Sequence, residues 1–105
     1  MTKNKYKAIK TVIDGIIFDS KKESARYQVL KCLEKGNKIR NLELQPVYIF
    51  ELNGKKIFKY IADFRYFDVA QGKLIIEDVK GVRTPVFNLK KKIIENEYGI
   101  VIEII

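Results

Sequence analysis

Two turn signals joined by a long apolar run constrain the fold of this 105-residue chain more than any other feature. Asn53-Gly54 is typical of two-residue β-turns, and it separates a β-rich segment at residues 42–52 from a predicted strand over residues 56–67. Residues 69–72 predict a second turn, which leads into a strand over residues 73–80. The middle of the chain therefore predicts a three-stranded antiparallel meander.

Helices and shorter strands flank this meander. A hairpin and a helix are predicted before it, and a helix and a strand after it, over residues 11–18, 20–35, 84–98 and 100–105. Ser20 and Thr84 are typical N-caps, and Gly36 and Gly99 are typical helix stops. The order β-hairpin, α, β, β, β, α, β predicts an α/β fold in which helices flank one mixed sheet.

Side-chain periodicity assigns the faces of these elements. The apolar positions of the first helix predict a buried stripe of Ala25, Val29, Leu30, Cys32 and Leu33. Alternation along residues 56–67 predicts one core face of Phe58, Tyr60, Ala62, Phe64 and Tyr66. Asp63 then lies on the opposite face, in an apolar stretch that gives no local reason for a carboxylate.

The second turn sets the register of the last two strands of the meander. A four-residue loop with symmetric pairing gives three facing pairs: Asp68 with Lys73, Asp63 with Asp78, and Ile61 with Lys80. Facing Cβ atoms lie about 4.5–5.5 Å apart, where like charges are destabilising. Two carboxylates so placed favour a cation between them, and oxygen ligands suit Mg²⁺ or Mn²⁺. The alternative is that both aspartates are ordinary residues of a solvated sheet face.

Composition excludes several kinds of catalysis. The chain has no histidine and one cysteine, Cys32, so it has no Ser-His-Asp or Cys-His nucleophile, no histidine acid–base pair and no cysteine-cluster zinc site. An enzyme of this composition works with carboxylates, lysines, tyrosines and metal-activated water. The net charge of +8 favours a polyanionic partner, although surface charge also serves solubility.

Length and hydropathy indicate one domain over residues 1–105 that opens with a basic segment at residues 1–10. No apolar run approaches the roughly 20 residues of a transmembrane helix, and no apolar signal-peptide segment follows the basic start. We therefore expect no membrane association and a cytoplasmic location, which for a phage-encoded protein is the host cytoplasm. The single cysteine fits a reducing compartment.

Two motifs of the meander resemble those of a nuclease superfamily. Tyr60-Ile61-Ala62-Asp63-Phe64 and the later Asp78-Val79-Lys80-Gly81 are similar to motifs II and III of the PD-(D/E)xK nucleases, whose αβββαβ, restriction-endonuclease-like core has the same element order. From about residue 11 the chain resembles short phage and prophage proteins more closely. It resembles the phage endonuclease I resolvases and the Tn7-type transposon-end nuclease more distantly. Ala62 replaces the proline of the "PD" pair, which changes no ligand.

The resemblance implies a metal-dependent endodeoxyribonuclease, selective for branched or junction DNA in phage recombination or DNA processing. Asp63, Asp78 and the Val79 carbonyl would hold one or two Mg²⁺ or Mn²⁺ ions. Glu23 would join them directly or through water, and Lys80 would stabilise charge on the phosphate or help deprotonate the water. DNA contacts are expected from Lys21, Lys22, Arg26, Arg83, Lys90, Lys91 and Lys92. A homodimer is expected, because one chain has one site and paired cuts need two.

Other interpretations of these residues stay open. Ser20 and Glu23 form a capping box in which Glu23 would reach back to the Ser20 amide, which explains both residues without a metal. Glu77 is predicted to point away from Asp78 and to be structural. A non-catalytic, basic nucleic-acid-binding module is the alternative function, and RNA is an alternative substrate.

Overall fold

Two helices and eight strands make up residues 10–105, the part of the chain that the computed structural model describes. They are β1 (Thr11–Ile13), β2 (Ile16–Phe18), α1 (Lys21–Lys35), β3 (Ile39–Leu44), β4 (Val47–Leu52), β5 (Lys55–Ile61), β6 (Phe64–Asp68), β7 (Lys73–Asp78), α2 (Pro85–Tyr98) and β8 (Ile102–Ile104). The predicted basic segment lies outside the described residues except for Lys10. The α/β class and the element order are confirmed, but two predicted strands are each divided in two.

Capping chemistry sets the helix boundaries as predicted. The hydroxyl oxygens of Ser20 and Thr84 each accept a hydrogen bond at 3.1 Å from an amide in the first turn of the helix that follows. α1 ends at Gly36, and α2 ends at Gly99, whose φ of 65° lies in the left-handed region that favours glycine. Within residues 10–105 neither helix is long and apolar enough to cross a membrane.

The face that α1 buries differs from the predicted stripe. Its buried residues are Ser24, Tyr27 and Leu30. The predicted stripe is wrong for three exposed residues, Ala25, Val29 and Cys32. Tyr27 explains why the buried face of α1 is rotated away from the predicted stripe. Its ring packs 4.9 Å from that of Phe18, and its hydroxyl donates to Asp14 Oδ2 at 2.9 Å. A tyrosine buries its ring while its hydroxyl binds a polar group, so a count of purely apolar residues misses it.

The meander is divided between a four-stranded mixed sheet and a separate ribbon. The sheet has the order β3-β6-β7-β8, in which β7 and β8 are parallel and the other neighbours antiparallel. β4 and β5 form the two-stranded ribbon, and β1 and β2 form the predicted hairpin. The prediction of single strands over residues 42–52 and 56–67 is therefore wrong. The first of these segments is interrupted at Gln45-Pro46 and the second at Ala62-Asp63.

The two interruptions face each other across the hairpin. The Ala62 amide donates to the Pro46 carbonyl at 3.1 Å, and the Gln45 amide donates to the Asp63 carbonyl at 3.0 Å. Gln45 has a left-handed φ of 54°, and Pro46 has no amide to donate, so a regular ladder cannot continue through this point. The bend places Asp63 between β5 and β6, where its side chain is half-buried.

The bend also divides the core. Tyr60 and Ala62 pack with Ile94 of α2, whereas Phe64 and Tyr66 pack in a second cluster with Leu30 of α1 and its neighbours. The prediction that these strand residues share one face is therefore wrong, because alternation does not continue through the bend. The two clusters lie against different helices, and Asp63 at the bend lies between Ala62 of one cluster and Phe64 of the other.

Candidate active site

The register predicted for the second turn is confirmed where the strands pair. Asp68 lies opposite Lys73, and the same register continues to Phe64 opposite Glu77. One residue further, the Asp63 amide donates to the Glu77 carbonyl at 3.1 Å, and the carboxyl groups of Asp63 and Asp78 lie close enough to shift each other's pKa. The two carboxyls meet at the end of β7.

The third predicted pair is wrong. Ile61 lies opposite Val47 in the β4–β5 ribbon, and β7 ends at Asp78. Lys80 therefore follows the strand rather than extending it, and it still reaches the acidic pair. Its Nζ lies 3.8 Å from Asp78 Oδ1 and 4.8 Å from the centre of the Phe87 ring. The amine is thus held between a carboxylate and an aromatic face at the start of α2.

The two oxygens of Asp78 have different surroundings. Asp78 is 1% exposed, and the hydroxyl of Tyr60 donates a short hydrogen bond to Oδ2. Oδ1 is also buried, and within residues 10–105 it accepts no hydrogen bond. A buried carboxylate oxygen without a donor is costly, so this atom is the one that a cation would satisfy.

Backbone geometry holds the second carboxylate. Asp63 Oδ2 accepts a hydrogen bond from the Val79 amide at 2.7 Å. This contact joins the bend to the segment that follows β7, and it orients the Asp63 carboxyl toward Asp78. Val79 thus acts on the site through its amide, and the ligand role of its carbonyl stays a prediction.

Glu23 joins the site from α1. Its Oε1 accepts a hydrogen bond from the Asp19 amide at 3.1 Å, and not from Ser20 as the capping-box prediction has it. Its carboxyl also lies close enough to Asp63 to raise the pKa of that carboxyl. Capping and contact with the acidic pair therefore coexist in one side chain.

A cleft of about 420 Å³ opens beside the acidic side chains. Glu23, Asp63 and Gln45 are its polar residues, and the remaining wall is apolar, formed by Ile16, Ile17, Phe18, Leu44 and Phe64. The hairpin β1–β2 thus forms one side of the approach to the carboxyls of Glu23 and Asp63.

Burial raises the pKa of both aspartates, and one neighbouring carboxylate adds to each shift. Loss of solvent raises the pKa of Asp63 to about 7, with a further contribution from the neighbouring Glu23, while the Val79 amide opposes the shift. Burial likewise raises the pKa of Asp78 to about 7, the Tyr60 hydroxyl opposes this, and Asp63 adds to it. The pair holds a proton near neutral pH in the absence of a cation, because two adjacent buried carboxylates do not ionise together easily.

These shifts predict a pH dependence of the metal-free protein. The folded state binds more protons than the unfolded state between about pH 4 and pH 7, so the free energy of unfolding should fall as pH rises through this window. One pKa unit corresponds to about 1.4 kcal/mol, so the loss is on the order of a few kcal/mol. Urea unfolding in EDTA at pH 5.5 and pH 7.5 measures it, and Asp63→Asn should flatten the dependence. An equal slope in that variant would contradict the account.

The donor set suits a hard cation in chemistry, although it is not a preformed cage. Within residues 10–105 no group of three or more acidic or cysteine side chains is spaced to hold a metal ion as it stands. The carboxyls of Glu23, Asp63 and Asp78 adjoin one another in pairs rather than converging on one point. Carboxylate oxygens that include one buried oxygen without a hydrogen-bond donor nevertheless fit Mg²⁺ or Mn²⁺, which keep part of their ligands as water.

Comparison with known proteins places the chain in a family. The family described as "Protein of unknown function (DUF1064)" matches residues 3–103. The chain belongs to the DUF1064 family. No curated protein and no solved structure matches it.

In this DUF1064 protein a second buried acid lies on the other face of the sheet from the aspartate pair. Glu77 is 1% exposed and accepts hydrogen bonds from the Tyr66 hydroxyl and from Arg26, whose Nε lies 2.8 Å from Oε1. The structural role predicted for Glu77 fits this position. Arg26 was predicted to contact DNA, and its contact with Glu77 was not predicted. Arg26 follows Glu23 by three residues and therefore shares its helix face. Arg26 is half-buried, and Glu77 engages its guanidinium.

The other residues predicted to contact DNA lie in different surroundings. Lys21 and Lys22 are exposed in the first turn of α1, beside Glu23. Arg83 is exposed, and its Nε donates to Asn88 at 3.2 Å. Three lysines of α2 diverge: Lys90 lies over the Phe58 ring, Lys91 pairs with Glu95 at 3.0 Å, and Lys92 is exposed. Lys21, Lys22 and Arg83, which lies in the loop before α2, are thus freer to bind phosphate than Lys91.

Proposed function

We propose that this protein is a Mg²⁺- or Mn²⁺-dependent endodeoxyribonuclease of the PD-(D/E)xK type. The observation that carries the proposal is the Asp63–Asp78 pair, with the Lys80 amine 3.8 Å from the buried Oδ1 of Asp78. Two adjoining buried carboxylates beside a lysine fit binding of a divalent cation and stabilisation of a phosphate better than a plain structural role. The chain has no histidine, which leaves this set as its best catalytic candidate.

Each residue has a distinct task in this proposal. Asp63 and Asp78 hold the cation, and the Val79 amide keeps the Asp63 carboxyl oriented. A bound divalent cation would lower the pKa of a water molecule and offset charge on the phosphate under attack. Lys80 donates to a phosphate oxygen where negative charge increases. Glu23 faces the cleft and binds the cation directly or through water.

The basic surface supplies affinity rather than chemistry. We propose that Lys21, Lys22 and Arg83, with the exposed Lys92 of α2, bind phosphates on either side of the cut, aided by the net charge of +8. Arg26 contributes less, since Glu77 engages it. Because each chain carries one site, paired cuts in branched DNA would require a homodimer. Action in the cytoplasm, on phage or host DNA, is part of the same proposal.

A cleavage panel tests the function. Junction, flap, linear duplex and single-stranded DNA, with an RNA counterpart of each, are incubated with purified protein in Mg²⁺, Mn²⁺ or EDTA. We expect cleavage of DNA in either metal, faster on branched substrates, and none in EDTA. DNA binding without cleavage in either metal would favour the non-catalytic binding module, and cleavage confined to RNA would correct the substrate.

Glu23→Gln separates the capping role from the proposed metal role. Glutamine can still accept the hydrogen bond from the Asp19 amide, so we expect the unfolding midpoint to stay close to that of the parent. The neutral amide is a weaker metal ligand, so cleavage at limiting Mg²⁺ should fall by about tenfold or more. Ser20→Ala is the matched control, because it removes a cap from the same turn without touching Asp63. Cleavage by Glu23→Gln at the parent's rate would leave capping as its role.

A further inference from the structure

Tyr60 makes a contact that simple core packing does not require. It is 5% exposed on β5, two residues before the acidic bend, and its hydroxyl donates to Asp78 Oδ2. From periodicity alone Tyr60 is a core residue, and its ring does pack in the cluster beneath α2. The hydroxyl, however, ends on the carboxylate of the proposed site.

We infer that Tyr60 is a positioning residue that holds Asp78 Oδ2 and thereby leaves Oδ1 for the cation. This inference rests on the proposed metal site. A hydrogen bond to an ionised carboxylate is roughly twice as strong as one between neutral groups, so it fixes the carboxylate's rotation. Once Oδ2 is engaged, the remaining oxygen is the one that lies 3.8 Å from Lys80 and finds no donor among residues 10–105.

An aromatic contact extends this support to the lysine. The Tyr60 ring packs 5.9 Å from that of Phe87, which in turn carries the Lys80 amine on its face at 4.8 Å. Phe87 lies in the first turn of α2, whose N-cap Thr84 binds its amide. The supports of the carboxylate and of the lysine are therefore in direct contact, and the start of α2 is packed against both.

The chain offers a matched control on the opposite face of the sheet. Tyr66 is 6% exposed, and its hydroxyl donates to the buried carboxylate of Glu77 as that of Tyr60 does to Asp78. Tyr60→Phe and Tyr66→Phe thus remove the same atom from equally buried rings. Tyr60→Phe removes the hydroxyl donor of Asp78, whereas in Tyr66→Phe the Glu77 carboxylate keeps its donor Arg26. A general loss of stability should appear in both variants, whereas a loss of cation binding should appear only in Tyr60→Phe.

The test measures Mn²⁺ binding without DNA. Calorimetry on parent and variants at pH 7.5 should show a dissociation constant raised about tenfold or more by Tyr60→Phe, as for other partners of metal ligands, and changed less than about threefold by Tyr66→Phe. Urea unfolding confirms that both variants are folded. The chain has no tryptophan to mask the absorbance of its tyrosines. Mn²⁺ binding should therefore also perturb the tyrosine absorbance of the parent and of Tyr66→Phe. This measurement needs no Tyr60 variant.

The outcomes distinguish this inference from the proposed function. Equal Mn²⁺ affinity in Tyr60→Phe and parent, or equal weakening in both variants, would overturn the role of Tyr60. The absence of a tyrosine absorbance change at saturating Mn²⁺ would overturn it as well. A parent that binds Mn²⁺ through Tyr60-supported Asp78 and cuts no DNA would confirm the inference and refute the nuclease. A parent that binds no Mn²⁺ would refute both.

Discussion

Asp78→Asn should lower metal-dependent DNA cleavage by about three orders of magnitude or more, a loss of about 4 kcal/mol of transition-state stabilisation. The substitution keeps the shape of the side chain, and Tyr60 can still donate to its amide oxygen. It removes one of the two negative charges that would hold the shared cation. Mn²⁺ affinity should fall with the rate, because both depend on the same carboxylate.

DNA binding should respond in the opposite direction. The variant raises the net charge from +8 to +9 by removing one acid from beside the proposed phosphate position, so affinity for DNA in EDTA should stay equal or tighten. Gel shifts in EDTA and in Ca²⁺ measure this. Glu103→Gln is the control, because it neutralises an exposed acid of β8. Loss of DNA binding in Asp78→Asn, with unchanged binding in Glu103→Gln, would mean that Asp78 supports folding or DNA contact rather than catalysis.

Lys80→Ala should lose cleavage while it keeps the cation. The amine lies 3.8 Å from Asp78 Oδ1 and does not ligate metal, so Mn²⁺ affinity should be unchanged or slightly higher once the competing positive charge is gone. Cleavage at saturating Mg²⁺ should fall by about 10²–10³-fold, the usual cost of a lost donor to developing charge. The pattern differs from that of Asp78→Asn, in which metal binding and cleavage fail together.

A second lysine controls for charge. Lys35→Ala removes the same charge from the last turn of α1, whereas Glu23 lies in the first turn of that helix. Both variants change the net charge from +8 to +7, so a small loss of DNA affinity should be similar in the two. Lys80→Ala should differ from Lys35→Ala in turnover. Equal turnover in the two would exclude Lys80 from the chemistry.

Local chemistry made most of the element order predictable. The helix caps at Ser20 and Thr84 and the turn between Asp68 and Lys73 depend on residues close in sequence, and the structure follows them. The buried face of α1 was not predictable from apolar spacing, because Tyr27 and Ser24 direct it through polar contacts made with their own hydroxyls. Long-range partners such as Asp14 are not visible in a helical periodicity.

The bend at Ala62-Asp63 was the largest departure, and its cause lies elsewhere in the chain. No glycine or proline occurs between Lys55 and Asp68 to mark it, and the interruption follows from Pro46 and the left-handed Gln45 on the facing arm. Proline favours irregularity in its own strand, and pairing transmits the irregularity at Pro46 across the hairpin. The approach of Asp63 to Asp78 was predictable from the turn register, whereas the donation from Tyr60 was not.

Nicking of supercoiled plasmid by parent and Asp78→Asn, purified side by side, shows whether Asp78 is required for metal-dependent DNA cleavage. We expect the parent to convert the plasmid to open circles in Mg²⁺ or Mn²⁺ and EDTA to stop the reaction. Folded Asp78→Asn should leave the plasmid supercoiled while still shifting it in a gel. Equal nicking by both proteins would contradict this expectation. So would a folded parent that binds the plasmid and leaves it intact in both metals.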